Sequence, residues 1–167
     1  MNRGLFLDRD GVINEDYGYV HRVKDFRFRE GIFHVCRMAQ RARMKIIVVT
    51  NQAGIGRGYY THEQYMMLTE FMLTIFSREG VCINQVYCCP YHEDCGLGHY
   101  KQYSYDRKPS PGMLVKACSK FNINPFHSIM IGDSPSDMRA AYSIGIRLFV
   151  DSGSKNWVEE SVSIIQG

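Results

Sequence analysis

Features that would tie a chain to a membrane, a secretory route or a nucleic acid are missing from this sequence of 167 residues. No run of about 18 apolar residues occurs, and the short apolar stretch before Asp8 is unlike a signal peptide. The net charge of +3 is too small to indicate a nucleic-acid partner. The six cysteines lack regular disulfide spacing. We therefore expect a cytoplasmic protein with reduced thiols that binds neither membrane nor nucleic acid.

Short β-rich runs alternate with helical patterns along the chain. The runs predict strands over residues 5–7, 45–50, 83–88, 128–131 and 146–150. Helices are predicted over 31–43, 61–78 and 134–143, with one more starting at 110–111. This alternation predicts an α/β fold, a Rossmann-like three-layer sandwich with a mainly parallel sheet of about five strands. The length and the 45% hydrophobic content fit a single domain over residues 1–167.

The segment DRDGVIN places two carboxylates, Asp8 and Asp10, at the end of the first predicted strand. Gly11 allows a sharp turn there, so the two side chains can converge. Two carboxylates beside a phosphate would repel one another, by about 4 kcal/mol per unit pair at ~4 Å and an effective dielectric constant near 20. A cation is therefore expected, and oxygen ligands favour Mg²⁺. The alternative is an ordinary polar turn.

Three further segments follow predicted strands or start a helix: TNQAGIGRG from Thr50, DRKPSPGM from Asp106 and IGDSPSD from Ile131. A glycine-rich loop can present backbone NH groups to a phosphate, although alone it is also a common connection. Ligands of parallel sheets bind beyond the carboxyl ends of the strands. We therefore predict that Asp8, Thr50 and Asp133 converge on one site.

In the order Asp-x-Asp, Thr-Asn, Lys and Gly-Asp-x-x-x-Asp, these segments resemble the four motifs of the haloacid dehalogenase superfamily of phosphohydrolases. More narrowly, DRDGVIN with DYGYV, TNQAGIGRG, RKPSPGM and GDSPSDM resemble the D-glycero-D-manno-heptose-1,7-bisphosphate 7-phosphatase family, which serves the synthesis of nucleotide-activated heptose. The resemblance covers roughly residues 4–150. Histidinol-phosphate phosphatases share much of the pattern, so histidinol phosphate or another small sugar phosphate is the alternative substrate.

The resemblance implies a role for each motif residue. Asp8 is the expected nucleophile, which forms an aspartyl-phosphate, and Asp10 the expected general acid and base. Thr50 and Lys108 would neutralise the transferring phosphoryl group. The Asp8 carboxylate, the Asp10 main-chain carbonyl and Asp133 would hold Mg²⁺. A non-catalytic phosphosugar-binding protein on the same fold would be expected to have lost part of this set.

Further residues match substrate-binding positions of the family. These are Asp16, Tyr17, Gly18, Tyr19, Asn51, Gln52, Ala53, Arg107 and Ser134, the last in a place where relatives commonly have lysine. Arg107 suits a second phosphate or sugar oxygens, whereas Tyr17 and Tyr19 could instead form a packed surface hairpin. No insertion is long enough for a cap domain. We expect a monomer with an open site for a small phosphosugar.

The zinc-binding loop of many family members is incomplete here. Ser104 and Asp106 stand where relatives have a Cys-x-Cys pair, and Tyr91 replaces the histidine two residues after Cys89. We therefore expect no zinc, and a loop ordered by its aromatic residues. The alternative is a replacement zinc site, because four residues have ligand-like spacing: Cys89, His92, Cys95 and His99.

Overall fold

The computed structural model describes all residues from 1 to 167 and contains one sheet of five parallel strands. The strands are β1 (Gly4–Leu7), β2 (Lys45–Asn51), β3 (Gln85–Cys89), β4 (Ile129–Gly132) and β5 (Leu148–Asp151). Their order in the sheet is β3-β2-β1-β4-β5, and every neighbouring pair is parallel. The predicted parallel sheet is confirmed, although β3, β4 and β5 begin one or two residues later than expected.

Six α-helices connect and flank the strands. They are α1 (Ile32–Arg41), α2 (Ala53–Gly56), α3 (His62–Arg78), α4 (Gly112–Phe121), α5 (Pro135–Ser143) and α6 (Trp157–Gln166). The capping box predicted for Thr61 and Gln64 starts α3. The short α2 and the C-terminal α6 were not predicted. No helix is both long and apolar enough to span a membrane.

The side chains of β1 show how the sheet becomes the middle of three layers. Leu5 and Leu7 point into a core shared with α1, α3 and α6, whereas Phe6 points into a second core shared with α4 and α5. Successive side chains of a strand face opposite sides, so a strand buried on both faces is apolar throughout. The three-layer sandwich is confirmed, and no element outside these layers forms a cap.

The strand order places a crevice at the carboxyl end of β1. From β1 the chain adds β2 and β3 on one side and β4 and β5 on the other, so the direction of winding reverses between β1 and β4. Open parallel sheets bind ligands at such a reversal. The backbone NH of Asp8 continues the ladder to the carbonyl of Ile131 at 3.1 Å, which fixes Asp8 at the edge of the crevice.

Candidate active site

A cavity of about 290 Å³ opens at the carboxyl ends of β1, β2 and β4. The residues predicted to act in catalysis, magnesium binding or substrate binding all line this cavity, except Thr50 and Tyr17. Three residues that were not predicted also line it: Gly54, Tyr60 and Ser136. The lining residues are Asp8, Asp10, Asp16, Gly18, Tyr19, Asn51, Gln52, Ala53, Gly54, Tyr60, Arg107, Lys108, Asp133, Ser134 and Ser136. The segments separated along the sequence therefore meet at one place.

Lys108 forms the charged floor of this cavity. Its side chain is 1% exposed, and its Nζ lies 3.0 Å from Oδ1 of Asp8 and 2.6 Å from Oδ1 of Asp137. The ammonium also donates a hydrogen bond to the carbonyl oxygen of Val49 at 2.9 Å. Burial lowers the pKa of Lys108, but the two carboxylates outweigh it, so this pKa is raised and the ammonium stays charged.

The carboxylates carry more negative charge than one lysine balances. Burial, opposed by Lys108 and assisted by Asp137 and Asp10, raises the pKa of Asp8 to about 7. Burial, with the charge of Asp137, raises the pKa of Asp133 to about 6. Both carboxylates are thus costly to ionise in the metal-free protein. A cation placed among them would relieve this cost.

One group of acidic residues is arranged like a set of metal ligands. Asp8, Asp133 and Asp137 each have one carboxylate oxygen that lies within 4.8 Å of the corresponding oxygens of the other two. An all-oxygen set with a net negative charge is the donor chemistry that Mg²⁺ prefers. Asp8 and Asp133 are predicted side-chain ligands, and Asp137 is an addition that the sequence did not predict. The predicted ligand of Asp10 is its main-chain carbonyl, which stays a prediction.

Asp137 also forms part of the N-terminal cap of α5. Its Oδ2 accepts hydrogen bonds from the backbone NH of Asp133 at 3.3 Å and of Ser134 at 3.2 Å, and from the Ser134 hydroxyl at 2.8 Å. The sequence signal for this cap was the Ser-x-x-Asp pattern of 134–137. Asp137 thus fixes the loop that carries Asp133 while its other oxygen holds Lys108.

Gly11 is required by the close approach of two loops. Its φ is +80°, and a Cβ built there would lie 1.9 Å from Oδ2 of Asp133. Its carbonyl oxygen accepts hydrogen bonds from the Ser152 hydroxyl at 2.9 Å and from the Arg29 guanidinium. Any side chain at this position would push Asp133 away from Asp8.

Asp10 is held by hydrogen-bond donors on several sides. Arg9 donates to it at 2.8–3.2 Å, Asn14 at 3.0 Å and Gln52 at 2.9 Å. Arg9 is only 1% exposed and also donates to the carbonyl of Val20 at 2.7 Å. This role of Arg9 was not predicted. A buried arginine needs a partner of opposite charge, and Asp10 is the partner here.

The side chains of Asn51 and Gln52 are engaged with the protein. Asn51 donates to the carbonyl of Lys108 at 3.0 Å and accepts from its NH at 3.1 Å. Gln52 donates to Asp10 and to the buried Thr50 hydroxyl, both at 2.9 Å, and accepts from the Tyr60 hydroxyl. Both side chains therefore position the catalytic candidates, and their contact with substrate stays a prediction.

Only part of the loop from Asp16 to Tyr19 lines the cavity. Asp16 accepts a hydrogen bond from the NH of Gly18 at 2.8 Å, and both line the cavity. Tyr19 has φ +54° and also faces the cavity, whereas Tyr17 is 69% exposed and lines a neighbouring groove. Tyr17 therefore lies away from the predicted substrate site in this conformation.

The four zinc candidates do not come together. The three aspartates described above are the one group of at least three potential ligands with this spacing, and it contains no cysteine or histidine. Nδ1 of His92 accepts from the NH groups of Asp94 and Cys95 at 3.2 and 3.3 Å, and Cys89 is packed in the core. His99 lies against Tyr100, with ring centroids 3.9 Å apart. The structure thus provides no replacement zinc cluster from these residues.

Comparisons with known proteins show the family of this chain. A family model described as HAD-hydrolase-like matches residues 105–161. The chain is 46% identical over 145 residues to D-glycero-alpha-D-manno-heptose-1,7-bisphosphate 7-phosphatase of Burkholderia mallei, covering 87% of this chain and 77% of that protein. It is 44% identical over 142 residues to D-glycero-beta-D-manno-heptose-1,7-bisphosphate 7-phosphatase of Vibrio cholerae, covering 85% and 76%.

A solved structure has the same fold. It is the D,D-heptose 1,7-bisphosphate phosphatase of B. bronchiseptica complexed with magnesium and phosphate, which superposes with a TM-score of 0.85 over 98% of each chain. The sequence identity of this pair is 21%. The likeness between the two structures therefore concerns the fold.

Proposed function

This chain belongs to the heptose-1,7-bisphosphate 7-phosphatase family of haloacid dehalogenase-like hydrolases, and from that premise we propose that it removes the 7-phosphate of D-glycero-D-manno-heptose 1,7-bisphosphate. The observation that carries the proposal is the ion-paired triad of Asp8, Lys108 and Asp137, in which Asp8 and Lys108 line the cavity and Asp137 is buried behind them. A carboxylate next to a fixed ammonium, with further carboxylates for a metal, suits phosphoryl transfer.

The reaction takes place in two steps at Asp8. Its carboxylate oxygen attacks phosphorus, the bond from phosphorus to the sugar oxygen breaks, and Asp10 gives a proton to the leaving oxygen. Asp10 then takes a proton from a water molecule, which attacks the aspartyl-phosphate. Phosphate is released and the Asp8 carboxylate is restored. The donors around Asp10 keep it in place for both proton transfers.

Lys108 and Thr50 stabilise the phosphoryl group during both steps and form no covalent bond to it. The Lys108 ammonium is fixed by three protein oxygens, so it needs no reorganisation when negative charge develops on the phosphoryl oxygens. Thr50 lies just behind the cavity wall, where its hydroxyl oxygen accepts a hydrogen bond from Gln52, a lining residue, and its proton stays available to a phosphoryl oxygen that reaches it.

Asp8 and Asp133 are the proposed magnesium ligands, with Asp137 behind them and the Asp10 carbonyl retained from the family pattern. When bound, Mg²⁺ would neutralise the charge of these carboxylates and of the substrate phosphate. The residues fit this ion because one lysine neutralises only part of the negative charge of their three carboxylates.

We expect the affinity for Mg²⁺ to fall at least ~10-fold between pH 7.5 and pH 5.5. The pKa values of Asp8 and Asp133 in the metal-free protein are raised to about 7 and about 6, so at the lower pH the ion must displace protons. Isothermal titration calorimetry at the two pH values measures the change. An affinity that is equal at both would contradict these ligands, and Asp133→Asn should weaken binding at pH 7.5.

A substrate panel tests the proposed function. We expect kcat/KM for either anomer of heptose 1,7-bisphosphate to exceed that for histidinol phosphate at least ~100-fold, because the bisphosphate alone offers a second phosphate to Arg107. Release of inorganic phosphate measures both substrates under the same Mg²⁺ concentration. Better turnover of histidinol phosphate would overturn the assignment.

A further inference from the structure

Two guanidinium groups near the cavity, those of Arg57 and Arg107, form no ion pair. No carboxylate lies within 4 Å of either group, although Arg107 shares a second cavity with Glu93 and Asp94. Arg107 lines the cavity, and its Nη1 donates to the carbonyl of Tyr91 at 3.3 Å. Arg57 directly follows α2, and its guanidinium carbon lies 5.7 Å from the ring centroid of Tyr19, which also lines the cavity.

These two groups are close enough to affect one another. Burial lowers the pKa of Arg107, and the positive charge of Arg57 adds to this effect. Burial also lowers the pKa of His92, and both guanidiniums add to it. Two guanidiniums this close repel one another, and an anion that binds between them relieves the repulsion.

The Arg57 side chain is partly exposed, and its guanidinium donates a hydrogen bond to the Tyr59 side chain, which raises the pKa of Arg57. Its Nε is shielded from solvent and has no hydrogen-bond partner. The Tyr19 ring below it meets the Tyr59 ring edge to face, with centroids 4.7 Å apart. The backbone beside it is fixed because the NH of Leu97 donates to the carbonyl of Gly56 at 2.8 Å. An unpaired donor on this guanidinium can be satisfied by a bound anion.

We propose that Arg57 is a specificity residue that binds the second phosphate of the bisphosphate substrate together with Arg107. This inference rests on the proposed function. The reacting phosphate is served by Lys108 at the floor of the cavity, whereas Arg107 lines the cavity farther out and Arg57 lies over the ring of Tyr19, which also lines it. A phosphate dianion can accept from two guanidinium forks at once, and that removes their mutual repulsion.

The test compares two substrates in three variants. The substrates are heptose 1,7-bisphosphate and heptose 7-phosphate, which lacks the phosphate at C1. For Arg57→Gln we expect kcat/KM for the bisphosphate to fall at least ~10-fold, mainly through KM, and that for the monophosphate to change less than about threefold. Arg57→Lys should lie between wild type and Arg57→Gln, because it keeps the charge and loses the fork. Arg78→Gln is the control, since Arg78 is exposed on α3.

The outcomes separate the inference from the function on which it rests. If the wild type prefers the bisphosphate and Arg57→Gln keeps the same preference, the role of Arg57 is wrong and the proposed function stands. An equal loss with both substrates would also overturn the role, because it would indicate a structural effect. If the wild type itself shows no preference for the bisphosphate, the proposed function fails. Circular dichroism and thermal unfolding confirm that each variant is folded.

Discussion

Asp8→Asn is expected to lower turnover about 10⁴-fold or more, with the protein still folded. The amide cannot form an aspartyl-phosphate, so the two-step reaction has no first step. Folding should survive because the neutral amide replaces a carboxyl group whose pKa burial raises to about 7, and because Lys108 keeps Asp137 as its partner. Phosphate release measures the activity, and urea unfolding at pH 8 in EDTA measures the stability, which should equal or exceed that of the wild type.

Two further variants distinguish the nucleophile from a metal ligand. Asp133→Asn should regain part of its activity when the Mg²⁺ concentration is raised, whereas Asp8→Asn should not. Asp151→Asn is the control, because Asp151 also ends a strand of the sheet but lies outside the cavity. Activity of Asp8→Asn within tenfold of the wild type would contradict nucleophilic catalysis by this residue.

Lys108→Met is expected to lower both activity and stability. It leaves two buried carboxylates, Asp8 and Asp137, without their cation, which should cost about 3–5 kcal/mol of unfolding free energy at pH 8 in EDTA. Loss of a fixed charge on the phosphoryl group should lower kcat about 10²–10³-fold. Urea unfolding and phosphate release measure the two effects. Lys155→Met is the control, because Lys155 is exposed and forms no ion pair.

The stability loss of Lys108→Met should depend on pH in a defined direction. The pKa of Asp8 is higher in the folded protein than in the unfolded chain, so ionisation of Asp8 costs stability as the pH rises through about 7. Removal of Lys108 takes away the main influence that lowers this pKa. The loss should therefore be smaller at pH 5.5 than at pH 8. A loss that is equal at both would show that the missing cation is not the cause.

The sequence was sufficient to predict the parallel sheet and the charged residues at the centre of the site. β1, β2 and β4 are built on apolar runs bounded by polar or glycine residues, and Asp8, Thr50 and Asp133 end or follow these runs. In a parallel sheet these ends meet at one edge, so their convergence follows from topology. Lys108 was predicted from the family motif, since its position depends on a loop and not on a strand.

The sequence was not sufficient for contacts made by tertiary packing. Tyr17 and Tyr19 have the same chemistry and similar positions, yet Tyr19, whose backbone is left-handed, lines the cavity and Tyr17 does not. The substrate-binding role predicted for Gln52 took no account of three protein partners that engage its amide. Arg9 was missed because its partners, Asp10 and the carbonyl of Val20, are brought around it by folding.

The central claim is that this chain removes the phosphate at C7 and leaves the one at C1. The most direct measurement is ³¹P NMR of heptose 1,7-bisphosphate during turnover by the wild-type protein with Mg²⁺. We predict that the 7-phosphate signal is replaced by inorganic phosphate while the 1-phosphate signal keeps its full intensity. Loss of the 1-phosphate first, or no release of phosphate from the bisphosphate, would contradict the account.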